Sequence, residues 1–315
     1  MAVIEQFMFT AAEIDGRRGY QTVARSPGID DDTVDDLAMY MYPVGIISSD
    51  FASSRSLLEI PGGRIVYIAA ENAGTGYDHR GHTICTHVLI LDAGDFGAAG
   101  YDSKALEPLC SPDMQARGVL PAIEADLAPL LAPSSDGRIM DVLGACMAAL
   151  LAGKRVALLA DGAGIIQNML RLFPGSSRLV PFSTVVERPE KQSRYRLMSV
   201  PRTVPTGIPG DVEVVRPGAG REIPEDVAYY VRLLRDGRMD ATADVGRMFD
   251  EAPGLDAMER LGLACDRLRH AEAGSDERRN LVASIRARAE RLGCPVPSEY
   301  VEAAGRQDPG WEPTG

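Results

Sequence analysis

The sequence predicts an α+β protein: a mixed β-sheet domain containing a β-α-β unit, followed by a small helical C-terminal region. Three observations carry that reading. Two pairs of strand-like segments flank glycine-containing turns early in the chain, at 3–26 and 53–70. An apolar strand, a short helix and a second apolar strand follow at 155–186. From about residue 222 the pattern changes to apolar residues at helical spacing.

The elements come in order. Val3–Thr10 and Gly19–Ser26 predict a hairpin with a fairly long loop, since Asp15-Gly16 and Gly19 supply turn chemistry. Asp30, Asp31 and Asp32 open a helix, because a carboxylate accepts from free N–H groups of the first turn. Val34, Leu37, Ala38 and Met41 give that helix one apolar face, and Pro43 ends it. Ser53–Ile60 and Arg64–Ala70 predict a second hairpin around Pro61-Gly62-Gly63. Thr83–Leu91 reads as an apolar strand, and 92–136 as a long, partly helical connection.

Arg138–Ala152 is apolar nearly all round, so it predicts a buried helix. Arg155–Ala160, Gly164–Phe173 and Arg178–Val186 give strand, helix and strand, a unit whose strands run parallel across a right-handed connection. Tyr195–Val200 and Val212–Val215 add strands. Val227, Tyr230, Val231 and Leu234 mark a helix behind Pro224. Met258, Leu261, Cys265 and Leu268, then Leu281, Ile285, Ala289 and Leu292, mark two more helices joined as an αα-hairpin across Ala273–Glu277. The domain expectation is therefore residues 1–216, then a helical domain at 217–304 and a disordered tail at 305–315.

Of a net charge of -12, all lies in residues 1–150, which hold 9 Lys+Arg against 21 Asp+Glu; the remainder holds 24 of each. That distribution argues against a broad nucleic-acid or anionic-membrane surface, which needs clustered cations. No run reaches the roughly 18 apolar residues of a membrane span, and the opening MAVIEQFMFT lacks the features of a signal peptide. Five scattered cysteines without a CxxC pair predict neither a zinc site nor a disulfide framework, so a reduced cytoplasmic protein is expected.

No sequence motif names a reaction. Asp161-Gly162-Ala163-Gly164 lies between a strand and a helix, but position 167 is Gln and no GK[ST] occurs, so a P-loop is excluded and no cofactor is expected. The acidic run Asp30–Asp32 with Asp35 and Asp36 reads as a helix cap and a solvated face in preference to a cation site. His270, near a helix end, reads as part of the fold.

The stretch richest in chemistry is the glycine-broken loop 71–82 and the strand after it. Tyr77, Asp78, His79 and Arg80 supply an aromatic face, an acceptor, a titratable ring and a fixed cation, and His87 follows on the strand. Tyr77, Asp78, His79, Arg80 and His87 are therefore the candidate partner- or ligand-binding residues. Three readings compete: a structural polar network, recognition of a partner or ligand, and proton transfer by His79 or His87 with Asp78 orienting the ring. The His82/His87 spacing matches no standard zinc arrangement, so no metal is expected.

The opening IEQFMFT with Gly19-Tyr20-Gln21-Thr22-Val23-Ala24-Arg25-Ser26, the element Asp78…His87-Val88-Leu89, and Phe173-Pro174…Leu179-Val180-Pro181-Phe182-Ser183-Thr184 resemble the GTPase-associated protein N-terminal domain family, second type, of prokaryotic NTP-dependent conflict systems. The resemblance covers about residues 3–200; Arg80-Gly81-His82 stands where the family pattern has Gly-Arg. It implies a non-catalytic adaptor or sensor module working with a separate GTPase or other NTPase encoded nearby. The alternative from the residues alone is a small-molecule hydrolase or transferase using Asp78, His79 and His87.

Overall fold

The computed structural model describes residues 1–14, 16–41, 51–74, 83–113, 115–128, 137–160, 163–175, 179–186, 189, 192–200, 208–219, 223–238, 242–243, 245–246, 249, 264–265, 267–268, 271–272 and 274–292. The chain divides into two compact units: Met1–Phe173 with Arg178–Arg221, and Pro174–Ser177 with Glu222–Gly315.

The first unit opens with a hairpin, β1 (Ala2–Ile14) and β2 (Arg17–Arg25), whose strands run on to pair Ile14 with Arg17. The turn is thus tighter than the sequence suggested: Gly16 takes φ 76, a conformation open to glycine, so few residues suffice to reverse the chain. Next come α1 (Asp31–Met41), the hairpin β3 (Ser53–Ile60) and β4 (Arg64–Asn72), and β5 (Ile84–Asp92). The expected connection over 92–136 contains α2 (Ala93–Ala98), a 3₁₀ turn (Ser103–Leu109), and the short strands β6 (Gly118–Val119) and β7 (Ile123–Ala125). Then follow α3 (Gly137–Leu151), β8 (Arg155–Leu158), α4 (Ala163–Leu170), β9 (Phe182–Ser183), β10 (Leu197–Ser199) and β11 (Val212–Val215).

The strands form one mixed sheet in the order β11-β8-β10-β9-β3-β4-β5-β1-β2-β6, with β7 on β1. Strands β11, β8, β10 and β9 are parallel, and the run from β9 to β2 is antiparallel. The β-α-β unit is present with one difference from the simplest arrangement. β10 lies between β8 and β9 and is parallel to both, so the crossover through α4 skips a position. β9 is also far shorter than the apolar stretch 178–186 suggested. Pro181 has no N–H for a ladder; its carbonyl instead accepts from Arg196 and Leu197.

Side chains alternate across the sheet. Phe7, Leu58, Val66, Ile68, Val88 and Ile90 share one face and pack with Leu37, Tyr40 and Met41 of α1. The opposite face carries Tyr67, whose hydroxyl accepts from Gln167 of α4 at 3.2 Å. Helix α3 contributes nine buried residues, including Ile139, Val142, Leu143 and Cys146, as its nearly continuous apolar surface requires.

Capping accounts for part of the acidic excess. Asp30 accepts from Thr33 N at 2.8 Å, Asp92 from Gly94 N at 2.7 Å and Asp102 from Lys104 N at 3.1 Å. Asp31 pairs with Arg25, and Asp36 takes a two-pronged contact from Arg194 at 2.9 and 2.7 Å.

In the second unit, α5 (Glu225–Arg235) buries Val227, Tyr230, Val231 and Leu234 on the expected face, and Tyr229 and Leu233 as well. Arg267 stacks on the Tyr229 ring at 4.5 Å. Ala264, Cys265, Leu268 and Ala271 pack on Leu281, Ile285 and Ala289 of α6 (Asp276–Leu292). The Met258–Leu261 segment, His270 and the 305–315 tail lie outside the described residues.

Candidate functional site

The candidate loop joins β4 to β5 as the tip of an antiparallel hairpin. Its stem is the register from Arg64↔Asp92 to Asn72↔Ile84. One further bond continues it, Ala73 N to Thr83 O at 2.7 Å. Asn72 organises the outgoing limb. Its Oδ1 accepts from Gly74 N at 3.0 Å and its Nδ2 donates to Phe51 O at 3.0 Å. Gly74 itself takes φ 88, a left-handed turn that a side chain would oppose. Tyr77, Asp78, His79, Arg80 and His82 lie outside the described residues.

The returning limb is held from the first hairpin. Ile84 N–H donates to the Tyr20 hydroxyl at 3.1 Å, and the Thr10 hydroxyl donates to Ile84 O at 3.0 Å. Beneath the stem Phe51, Ala70 and Ile84 form a small apolar cluster against Tyr20 and Val185. Arg55 of β3 donates to Glu71, the last charged residue before the tip, at 2.8 Å. Arg55 and Glu71 also sit close enough to Cys110 to act on its ionisation, but burial dominates and pushes that thiol up to about 12. Cys85 is likewise raised to about 11 by burial. Neither thiol is primed as a nucleophile.

His87 points into the protein. It is 1% exposed, in a strand buried from Ile84 to Leu91. Ser111 N–H donates to its Nδ1 at 3.0 Å, so that nitrogen is the acceptor and the proton sits on Nε2. The Nε2–H then donates to Gln6 Oε1 at 2.8 Å, and Gln6 Nε2 donates to Pro121 O at 2.7 Å. The chain of bonds ties β1, β5 and the connection at 111 and 121 together, with every donor facing an acceptor. Burial lowers the His87 pKa from 6.5 to about 4, so the ring is neutral. Gln6, Ser111 and Pro121 had no signal in the sequence beyond one amide in an otherwise apolar strand.

Two other sequence features find structural roles. Ser183 Oγ accepts from Ser56 Oγ at 2.9 Å and donates to Val185 O at 3.2 Å, while Thr184 Oγ1 accepts from Arg55 N at 2.8 Å. Of the acidic residues around α1, Asp30 serves as a cap and Asp31 and Asp36 as ion-pair partners. Among the described residues no group of three or more His, Cys, Asp or Glu side chains is gathered as a metal site. No described helix is long and apolar enough to cross a membrane.

An α+β module with a hairpin-borne polar tip and a histidine committed to the fold is what these residues build. Residues 3–126 match the family model of GTPase-associated protein 1, N-terminal domain type 2, the family that the opening strands and the loop resemble. The match takes in β1 to β7 and both limbs of the candidate loop, and ends before α3. Among curated proteins, none matches this chain.

Proposed function

We propose that this chain is a non-catalytic adaptor or sensor module that acts with a separate GTPase or other NTPase encoded nearby. The observation that carries the reading is the family match over residues 3–126, whose description is the N-terminal domain of a GTPase-associated protein. In this reading Tyr77, Asp78, His79 and Arg80 meet the partner, His87 supports them from within the sheet, and the C-terminal helical hairpin offers a second contact. The domain plan is an α+β domain at 1–216 followed by a helical one at 217–304. A hydrolase or transferase using Asp78, His79 and His87 gains no support from His87, because both of its ring nitrogens are engaged by neutral groups of the fold.

The test is co-purification of the full chain with the NTPases encoded beside its gene. Stable capture of one of them, lost in a Tyr77→Ala/His79→Ala/Arg80→Ala variant, is expected. Capture of none, or capture indifferent to those three changes, overturns the reading.

A further inference from the structure

Ile84 is the residue at which the candidate loop rejoins the sheet, and its backbone is handled in an unusual way. β5 pairs with β4 as far as Asn72↔Ile84, but with β1 only as far as Thr10↔Cys85. On the β1 side the N–H and C=O of Ile84 are therefore one position past the last ladder pair. Two hydroxyls take the place of a strand there: Tyr20 accepts from Ile84 N at 3.1 Å, and Thr10 donates to Ile84 O at 3.0 Å. A backbone group at such a position needs a partner, so these bonds fix where the strand stops.

Both hydroxyls are themselves held. Thr10 is fully buried in β1. The Tyr20 ring lies against Phe9 with centroids 6.0 Å apart and planes 24° from parallel, and packs on the Phe51, Ala70 and Ile84 cluster. The Gly-Tyr strand of the first hairpin thus holds the backbone at the start of β5, although more than sixty positions separate Tyr20 from Ile84.

We propose that the Thr10 and Tyr20 hydroxyls are the positioning groups of the limb that enters β5: they set the backbone at Ile84, and partner binding depends on them. The inference rests on the docking reading above for its second half only. Tyr20→Phe removes one oxygen and keeps the stacked ring. Thr10→Val removes the other hydroxyl at nearly constant volume, and Thr10→Ser keeps it.

The measurements are amide exchange at Ile84 in the full chain and the affinity for the captured NTPase. In Tyr20→Phe the Ile84 amide is expected to exchange at least about fivefold faster, the equivalent of one net hydrogen bond, while amides of β3 and the far end of β4 keep their protection. Tyr20→Phe and Thr10→Val should each weaken NTPase binding by about fivefold or more, and Thr10→Ser should restore it. Unchanged Ile84 exchange in Tyr20→Phe overturns the positioning role. Faster exchange with undiminished NTPase binding overturns its link to recognition. Should the wild-type chain capture no NTPase, the docking reading fails and takes that link with it, and Ile84 exchange alone decides whether the hydroxyls position the strand.

Discussion

The imidazole of His87 donates from Nε2 to Gln6 Oε1 across 2.8 Å, joining the neighbouring strands β5 and β1 below the sheet surface. Because Gln6 also donates to Pro121 O, its amide is used at both ends. Gln6→Leu leaves a buried ring N–H and a carbonyl without partners, and should cost about 1–3 kcal/mol in urea unfolding. His87→Leu paired with Gln6→Leu removes both polar partners and should cost less than the two single changes summed.

The same histidine predicts a pH dependence. Its folded pKa, about 4, lies below the ordinary 6.5 of the unfolded chain. The unfolded state therefore binds the proton first, so the stability tied to neutral His87 is complete above pH 6.5. It is lost progressively as pH falls from 6.5 towards 4, by about 3 kcal/mol at the limit. Asp36, whose carboxyl the Arg194 contact holds below its usual 3.8, adds a loss only in more acid solution. Urea midpoints at pH 7, 5.5 and 4.5 should fall for the wild type and flatten markedly in His87→Gln.

Why the sequence revealed the strands but not this network follows from where the network lies. Alternation identifies an inward face only when the other face is wet. β5 is buried on both, from Ile84 to Leu91, so nothing in CTHVLIL says which way His87 turns. Ser111, which bonds His87, and Pro121, which bonds Gln6, come from a connection without periodicity, and long-range pairs there leave no local trace. Turn chemistry, by contrast, is local. Pro61-Gly62-Gly63 and Asp30 announced a hairpin and a helix start that the structure reproduces, with Gly62 and Gly63 at φ 88 and 68. The loop stem was legible for the same reason. Its anchoring by Tyr20 and Thr10 was not, since it depends on tertiary register.

Gly28, in the Ser26-Pro27-Gly28-Ile29 turn ahead of α1, lies against the end of the Glu5 side chain. A Cβ there would stand 2.6 Å from Glu5 Oε1 and 2.9 Å from its Cδ. Its backbone is not in the left-handed region and the carboxylate of Glu5 can swing aside, so Gly28→Ala should destabilise only modestly, by about 1 kcal/mol or less. Glu5→Ala in the same chain should recover most of that loss. A double-mutant cycle by thermal or urea unfolding would read the coupling directly. Additive costs would mean that the turn, and not Glu5, excludes the methyl group.

In the second unit the arginine Arg278, 3% exposed, donates from Nη1 to Leu268 O and Ala271 O, each at 3.2 Å. These carbonyls end the helical segment that packs on α6, where orphan acceptors otherwise need water. The charge also sits favourably at a helix C-terminus. Arg278→Met keeps the apolar stem but strands both carbonyls, and should cost about 1–3 kcal/mol of the unit's stability. Arg278→Lys returns a cation with three N–H groups on one nitrogen and should recover part of it. Amide exchange would separate this from a general loss of stability: faster exchange confined to 264–292 is expected, with the amides of β4 and β5 unaffected. Equal acceleration in the sheet would show that Arg278 matters through global stability and not by closing its own helix pair.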